Sequence, residues 1–316
     1  MKLRQLGNSQ MQVAPLMFGG NVFGWTIDAP TSFSILDAFA ANGFNFIDTA
    51  DVYSRWHPGN HGGESETILG EWFARSGKRD QIVLATKVGM DMGDGKKGLA
   101  DKYIFEAVEA SLRRLKTDYI DLYQSHVDDA TVPLDDTLRT YEKLIEQGKV
   151  RMIGASNYTG ARLREAVDLA KREVLPVYQT LQPHYNLYDR ERFESDQQPV
   201  AKELGIGVIP YFSLASGFLT GKYQSREASV GANRESRVAK YFDERGMKIL
   251  AALNEVAAET GAKVATISLA WLMAQPTILA PIASATSVAQ LEDLIAAPNL
   301  ELSEAALAKL TAASAY

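Results

Sequence analysis

The chain has 316 residues, of which 46% are hydrophobic, 23% charged and 9% aromatic, as expected for a soluble globular protein with a large core. The 33 Lys and Arg residues against 39 Asp and Glu residues give a formal net charge of -6, with no basic cluster to bind nucleic acid. The absence of cysteine excludes disulfides, thiolate catalysis and cysteine-ligated metals. No apolar stretch is long enough to span a membrane, and the first residues lack the apolar run of a signal peptide, so we expect a cytoplasmic protein.

The predicted elements begin with a β-hairpin over residues 2–13, which has Gly7 and Asn8 near its middle. Beyond it, short apolar runs rich in Val, Ile, Leu and aromatic residues indicate strands that are buried on both faces. These runs are residues 13–18, 44–48, 82–87, 120–126, 150–156, 177–182, 206–212 and 278–284. Apolar residues at helical spacing predict helices between them, at 100–116, 134–147, 160–171, 245–260 and 263–275.

Eight strands alternating with helices predict an α/β fold of the (β/α)8 TIM-barrel type, and an open doubly wound sheet is the main alternative. No linker or low-complexity tract interrupts the chain, so we expect residues 1–316 to form a single domain. The alternation of strands and helices is interrupted once, after the seventh strand, by a long insertion that includes the polar stretch 224–237. This stretch is either a lid over the active-site end of the barrel or a surface loop without a catalytic role.

Three consecutive predicted strands end in an ionisable residue: Asp48, Lys87 and His126. A salt bridge would explain one such residue, because charge is costly to bury without a partner. Three in succession favour a functional site, since the carboxyl ends of barrel strands meet at one mouth. Tyr53 follows shortly after Asp48 and would join them.

Together, these four residues would form a general acid suited to carbonyl reduction. A free tyrosine has a pKa of ~10, too high for easy proton donation. We expect the Lys87 ammonium to lower the pKa of Tyr53, and we expect Asp48 to keep Lys87 charged. His126 would hydrogen-bond the substrate carbonyl or relay the proton. No side chain offers a hydride, so a nicotinamide cofactor is needed. A barrel aldolase that forms a Schiff base through Lys87 is an alternative, which Asp48 disfavours by keeping the lysine charged.

Six segments along the chain resemble signatures of the aldo-keto reductases: FIDTADVY, TKVG, YQSH, GKVRMIGASN, QPHYN and YFSLASGFLTGKY. The resemblance covers essentially the whole chain and implies reduction of an aldehyde or ketone by an NAD(P)H-dependent barrel enzyme. It implies Tyr53 as the proton donor, supported by Lys87, Asp48 and His126. The family also resembles the β subunits of potassium channels, so a nicotinamide-binding regulatory subunit with little turnover is the alternative function.

The resemblance also implies a cofactor site. Ser156, Asn157 and Gln182 match positions that hold the nicotinamide carboxamide, and Tyr211 matches the aromatic residue that stacks on the ring. The loop along the pyrophosphate would comprise Ser213, Leu214, Gly217, Leu219, Gly221 and Lys222. Residues that can bind a phosphate are Ser284, Thr286, Ser287 and Gln290, with Ser287 as the cap of a helix. NADP is the family expectation, but residues 282–294 contain no Lys or Arg, so NAD is also possible.

Loops after the first two strands would form the substrate wall. Trp25, Trp56 and Arg55 suit a polar, sugar-like carbonyl compound, or the tryptophans pack beneath their own loops. His57 and His61 lie in a glycine- and proline-containing loop rather than on one helix face, so we predict no metal site. The expected partner is a small-molecule substrate.

Overall fold

The computed structural model describes residues 1–230 and 235–316, and within them the predicted TIM barrel is confirmed. An antiparallel hairpin, β1 (Arg4–Gln5) and β2 (Gln12–Val13), precedes the barrel, as predicted. The barrel strands are β3 (Met17–Gly19), β4 (Phe46–Asp48), β5 (Val83–Val88), β6 (Ile120–Ser125), β7 (Val150–Ser156), β8 (Thr180–Gln182), β9 (Gly207–Val208) and β10 (Ile282–Ala283).

The eight barrel strands are parallel, and each of β3 to β8 pairs with the next strand in the sequence. The last segment closes the ring, because Ile278 bridges to Val208 of β9 while Ile282 of β10 pairs with Met17 of β3. This sequential order with closure excludes the doubly wound sheet.

Helices surround the barrel, and the five with predicted ranges begin and end close to the predicted residues. Within the described residues they are α1 (Ala29–Ala41), α2 (Glu64–Ser76), α3 (Asp101–Leu115), α4 (Leu134–Glu146), α5 (Gly160–Glu173), α6 (Gln198–Leu204), α7 (Glu235–Val238), α8 (Glu244–Thr260), α9 (Val264–Met273), α10 (Val288–Ile295) and α11 (Glu304–Ala313). Side-chain caps stabilise several helix starts: Thr159 accepts from the backbone N–H of Arg162, and Ser287 from that of Gln290.

Alternation along each strand divides the core into two layers. Phe46, Ala85 and Leu122 point into the barrel and form a small inner cluster, which Leu6 and Val13 of the hairpin region complete at the amino-terminal end. Their neighbours along the strands point outward into the larger cluster under the helices. The inner cluster fills the lower barrel, so the interior positions nearest the carboxyl ends are left for polar side chains.

Prolines shorten three of the predicted strands. The run 13–18 is two elements rather than one, because Pro15 separates β2 from β3. Likewise, Pro210 and Pro281 lie within the runs 206–212 and 278–284, of which only β9 and β10 are regular strand. Proline has no N–H to contribute to a strand ladder, which accounts for these interruptions.

The long insertion lies between β9 and β10, as predicted. It begins with short helical turns at Ala215–Thr220 and Glu227–Ser229, and continues through α7 to α9. Part of the polar stretch 224–237, residues 231–234, lies outside the described residues. In the part of the chain that the structure describes, no helix has the length and apolar character needed to cross a bilayer.

Candidate active site

The carboxyl ends of β4, β5 and β6 bring the predicted ionisable residues together. The Lys87 ammonium lies 2.7 Å from Asp48 Oδ2, 2.7 Å from the Tyr53 hydroxyl and 2.8 Å from the carbonyl oxygen of Thr49. The Tyr53 hydroxyl donates to the same Asp48 oxygen at 2.8 Å. The ring of His126 lies 6.0 Å from the Tyr53 ring, nearly edge-on. A single closed triangle of charge-assisted hydrogen bonds therefore faces a neighbouring imidazole.

A tight turn after β4 positions Tyr53. Its backbone N–H donates to the carbonyl oxygen of Ala50 at 3.2 Å. The next residue, Ser54, has positive φ and anchors the turn by donating its hydroxyl to the carbonyl oxygen of Phe23 at 2.6 Å. The loop is thus attached to the segment after β3, and the phenol is held over the end of β5.

One expectation about the pKa values at this site is wrong. Burial and the adjacent Asp48 carboxylate raise the pKa of Tyr53 well above its usual value, although we expected Lys87 to lower it. Burial also lowers the pKa of Lys87, and Asp48 opposes this effect without reversing it. Burial is the largest cause of both shifts, because the interior penalises any charge, and the Asp48 carboxylate adds to the shift of Tyr53 but opposes that of Lys87. Tyr53 is therefore protonated at neutral pH, as a proton donor must be.

His126 is a neutral imidazole at this site. Burial, assisted by Lys87, lowers its pKa well below the usual value. Among the described residues, its buried Nδ1 atom has no hydrogen-bond partner. Its carbonyl oxygen accepts from the side-chain amide of Asn157 at 2.9 Å, which fixes the backbone beside the ring. A neutral imidazole next to the Tyr53 ring is available to hydrogen-bond a ligand oxygen.

A second group of polar side chains extends from the triangle across β7 and β8. Gln182 donates its amide to Asp48 Oδ1 at 3.0 Å, and Ser156 donates its hydroxyl to the carbonyl oxygen of Gln182 at 3.0 Å. Asn157 accepts from the Tyr211 hydroxyl at 2.8 Å. The predicted amide-binding residues and the predicted stacking residue are thus linked to the Asp48 cluster through hydrogen bonds.

A cavity of about 720 Å³ opens above these residues, within the usual range for ligand sites. Lys87 lies fully buried beneath its floor. Most predicted site residues line it, namely Asp48, Tyr53, Trp56, His126, Ser156, Asn157, Gln182, Tyr211, Ser213, Leu214, Gly217, Lys222, Ser284, Thr286 and Gln290.

Three residues predicted along the pyrophosphate are placed in supporting positions instead. Leu219 is fully buried in the outer core, and Gly221 ends a helical turn with φ 75°. Ser287 accepts from the backbone N–H of Gln290 at 3.2 Å and so caps α10. These residues shape the loop and the helix that border the cavity rather than its surface.

Two of the three predicted substrate residues also lie away from the cavity surface. Trp25 packs edge-on against Trp56, with ring centroids 5.5 Å apart. Of these two tryptophans, Trp56 alone lines the cavity. Arg55 is exposed and its guanidinium lies against Gly93 of the loop after β5. In the same region, Glu64 accepts hydrogen bonds from backbone N–H groups at the start of α2.

The sequence analysis missed several residues that line the cavity, and four of them illustrate why. Asn21 follows β3 and accepts from the hydroxyl of Ser284 at 2.7 Å, and Met90 follows β5. Both lie just beyond a strand end, as the predicted site residues do, but neither is ionisable. Phe212, which is 38% exposed, directly follows the predicted Tyr211. Arg237 comes from the insertion, and no local pattern in the sequence marks it as a cavity residue.

Comparisons with known proteins identify the family of this chain. The model of the Aldo/keto reductase family matches residues 15–315. An uncharacterized oxidoreductase of Bacillus subtilis, YrpG, is 36% identical over 98% of this chain and 95% of its own length. Protein Tas of Escherichia coli is 33% identical over 99% and 97% of the two chains. A probable voltage-gated potassium channel subunit beta of Arabidopsis thaliana is 32% identical over 93% and 90%. The chain belongs to the aldo/keto reductase family, a family of oxidoreductases.

Proposed function

We propose that this protein reduces an aldehyde or ketone to the alcohol with NAD(P)H, and that Tyr53 supplies the proton. The observation that carries the proposal is the triangle of Asp48, Lys87 and Tyr53 at the floor of a ligand-sized cavity. A hydroxyl in contact with an ammonium group is suited to donate a proton, because the ammonium stabilises the phenolate that remains.

The raised pKa of Tyr53 suits this role, because the phenol keeps its proton until a carbonyl oxygen develops negative charge. Lys87 already donates to the phenol oxygen at 2.7 Å, so the stabilising contact exists before the proton moves. Neutral His126 is placed to hydrogen-bond the same carbonyl oxygen and to orient it toward Tyr53. A bound NAD(P)H supplies the hydride.

The polar lining of the cavity fits a nicotinamide dinucleotide. At one end Ser156, Asn157 and Gln182 provide amide and hydroxyl groups for a carboxamide, beside the Tyr211 ring for stacking. Toward the other end lie Gly217 and Lys222, followed by Ser284, Thr286 and Gln290 near the start of α10, where backbone N–H groups favour phosphate.

We propose NADPH rather than NADH as the preferred cofactor. Residues 282–294 contain no Lys or Arg, but Lys222 and Arg237 both line the cavity and supply positive charge for an additional phosphate. The preference is measured as the ratio of kcat/KM for the two cofactors with one carbonyl substrate. A ratio in favour of NADH would contradict this assignment.

An apolar or aromatic carbonyl compound fits the outer cavity better than the sugar-like substrate expected from the sequence. Trp56, Met90 and Phe212 are each about two-fifths exposed, and all three line this cavity. Large apolar groups left exposed together in one cavity commonly mark a binding surface. Trp25 and Arg55 would act indirectly, through Trp56 and the loop at Gly93.

The test is the oxidation of NADPH and NADH with aryl aldehydes, aliphatic ketones and aldoses, for the native protein and for Tyr53→Phe. We expect at least a ~100-fold loss of kcat in Tyr53→Phe with nearly unchanged cofactor affinity. Tyr119→Phe is the control, because its hydroxyl bonds Asp80 outside the cavity. Cofactor binding without carbonyl-dependent oxidation would instead support a nicotinamide-binding regulatory subunit, and the Arabidopsis relative is named as a probable potassium channel subunit.

A further inference from the structure

A second buried acid lies on the loop that carries Tyr53. Asp51 stands two residues before Tyr53, is only 2% exposed, and bonds through its backbone N–H to the carbonyl oxygen of Lys87 at 3.3 Å. Among the described residues, neither of its carboxyl oxygens has a hydrogen-bond partner. Buried carboxylates are normally paired, so an unpartnered one calls for a physical explanation.

The surroundings of Asp51 disfavour a negative charge. Glu66 of α2 is fully buried nearby and takes up the neighbouring donors, since it accepts from the hydroxyl of Thr86 at 2.6 Å and from Arg114 at 2.7 Å. An ionised Asp51 would therefore be a second buried negative charge near Arg114, which already pairs with Glu66. The titratable and charged groups that act on Asp51 or respond to its charge are Tyr53 on the same loop, Glu66 on α2, Lys87 on β5, Tyr103 and Arg114 on α3, Tyr123 on β6 and Tyr141 on α4.

We propose that Asp51 is a positioning residue that holds the Tyr53 loop in its active conformation as a neutral carboxylic acid and displaces that loop when it ionises. This inference rests on the proposed function, because it assigns a role through Tyr53. Asp51 contacts neither the cavity nor the reacting atoms and acts only through its neighbours.

The connection to the active site is short. The backbone of Asp51 is bonded to that of Lys87, and one residue separates it from Tyr53. Any movement that gives an ionised Asp51 a new hydrogen-bond donor shifts this turn, and with it the 2.7 Å contact between the Lys87 ammonium and the phenol. Ser54 and Thr49 anchor the loop on either side, through bonds to Phe23 and Ser65, so the displacement is confined to the turn itself.

The relevant pH range follows from the same environment. Burial, with Glu66 adding to it, raises the pKa of Asp51 to about 8, while Arg114, the nearby backbone N–H of Val52 and Lys87 oppose the shift. Because the folded-state pKa lies above the unfolded value of 3.8, the unfolded chain loses this proton first as pH rises. The contribution of Asp51 to stability is therefore complete below the unfolded-state pKa. It declines as pH rises from there to the folded-state pKa, and above that pKa it is lost.

The experiment compares the native protein with Asp51→Asn, which keeps the shape of the neutral acid and cannot ionise. Both are measured from pH 6 to about 9.5 for kcat/KM and for Tm. We expect the native kcat/KM to fall about tenfold per pH unit above the midpoint, and the Asp51→Asn profile to stay level through that range. The native Tm should decline more steeply with pH than the Tm of Asp51→Asn. Asp118→Asn, an exposed carboxylate on the α3–β6 loop, is the matched control and should follow the native curves.

Two further measurements keep the proposal testable. Infrared spectra at pH 6.5 should show the carbonyl band of a protonated carboxylic acid that disappears in Asp51→Asn. Glu66→Gln, which removes the neighbouring charge, should shift the alkaline loss of activity to lower pH. Identical pH profiles of the native protein and Asp51→Asn, or an unchanged carboxylic-acid band, would overturn the proposal. Should no carbonyl be reduced at all, the proposed function fails, and the Tm and infrared results alone decide the state of Asp51.

Discussion

The pair of Lys87 and Asp48 is sufficiently buried for its energetic consequences to be predicted. The two side chains are 0% and 1% exposed, and their charged atoms are 2.7 Å apart. Lys87→Met removes the ammonium and leaves the Asp48 carboxylate buried, with only Tyr53 and Gln182 as donors. Asp48→Asn leaves the ammonium without its counter-ion. Breaking a buried pair on one side costs about 3–5 kcal/mol, so we expect each variant to lose that much free energy of unfolding.

The double variant Asp48→Asn/Lys87→Met separates pairing from packing. It contains no uncompensated charge, so its loss should be smaller than the sum of the two single losses by about 2 kcal/mol or more. The assay is equilibrium unfolding in urea at pH 7, with the midpoint and the slope compared among the four proteins. The measurement is independent of turnover, which matters because all three variants change the proposed proton-donor site.

An exposed lysine provides the control. Lys309 bonds Glu255 and Glu259 at 3.0 and 2.7 Å on the protein surface, where solvent screens the pairs, so Lys309→Met should cost far less than Lys87→Met. The reasoning is refuted if Lys87→Met costs no more than Lys309→Met, or if the two single losses simply add. Either result would mean that water reaches the pair and screens it.

Two other predictions concern packing and pH. Gly70→Ala adds a methyl group that would overlap the carbonyl oxygen of Arg114 where α2 packs on α3, so we expect a loss of about 2 kcal/mol in thermal or urea unfolding. Alanine is otherwise the better helix former, so a gain in stability would contradict the close packing. The lowered pKa of His126 predicts that stability declines as pH falls below the unfolded-state pKa of 6.5, because only the unfolded chain takes up the proton there. His126→Gln should show a shallower acid decline in Tm, and an unchanged slope would assign that decline to other groups.

The fold was predictable because its signals are local. Apolar runs and helical spacing identified all eight barrel strands and five of the helices, although not α1 or α2, and the ionisable residues at strand ends identified Asp48, Lys87 and His126 as neighbours. The errors were also local in origin: Pro15, Pro210 and Pro281 interrupt runs whose composition favours strands. The NADP preference and the substrate remain predictions, since they depend on cavity chemistry that no motif specifies.

The sequence by itself determined which chemical groups meet, because parallel strands that end in ionisable residues must present them at one barrel mouth. Only the tertiary structure decided the pKa values of those groups at the barrel mouth. The pKa of Tyr53 moves opposite to expectation because burial and the Asp48 carboxylate, 2.8 Å away, both raise it, and burial lowers the pKa of Lys87 despite its contact with Asp48. The unpartnered carboxyl of Asp51 is likewise invisible in FIDTADVY, because its isolation depends on how α2 and α3 pack around it.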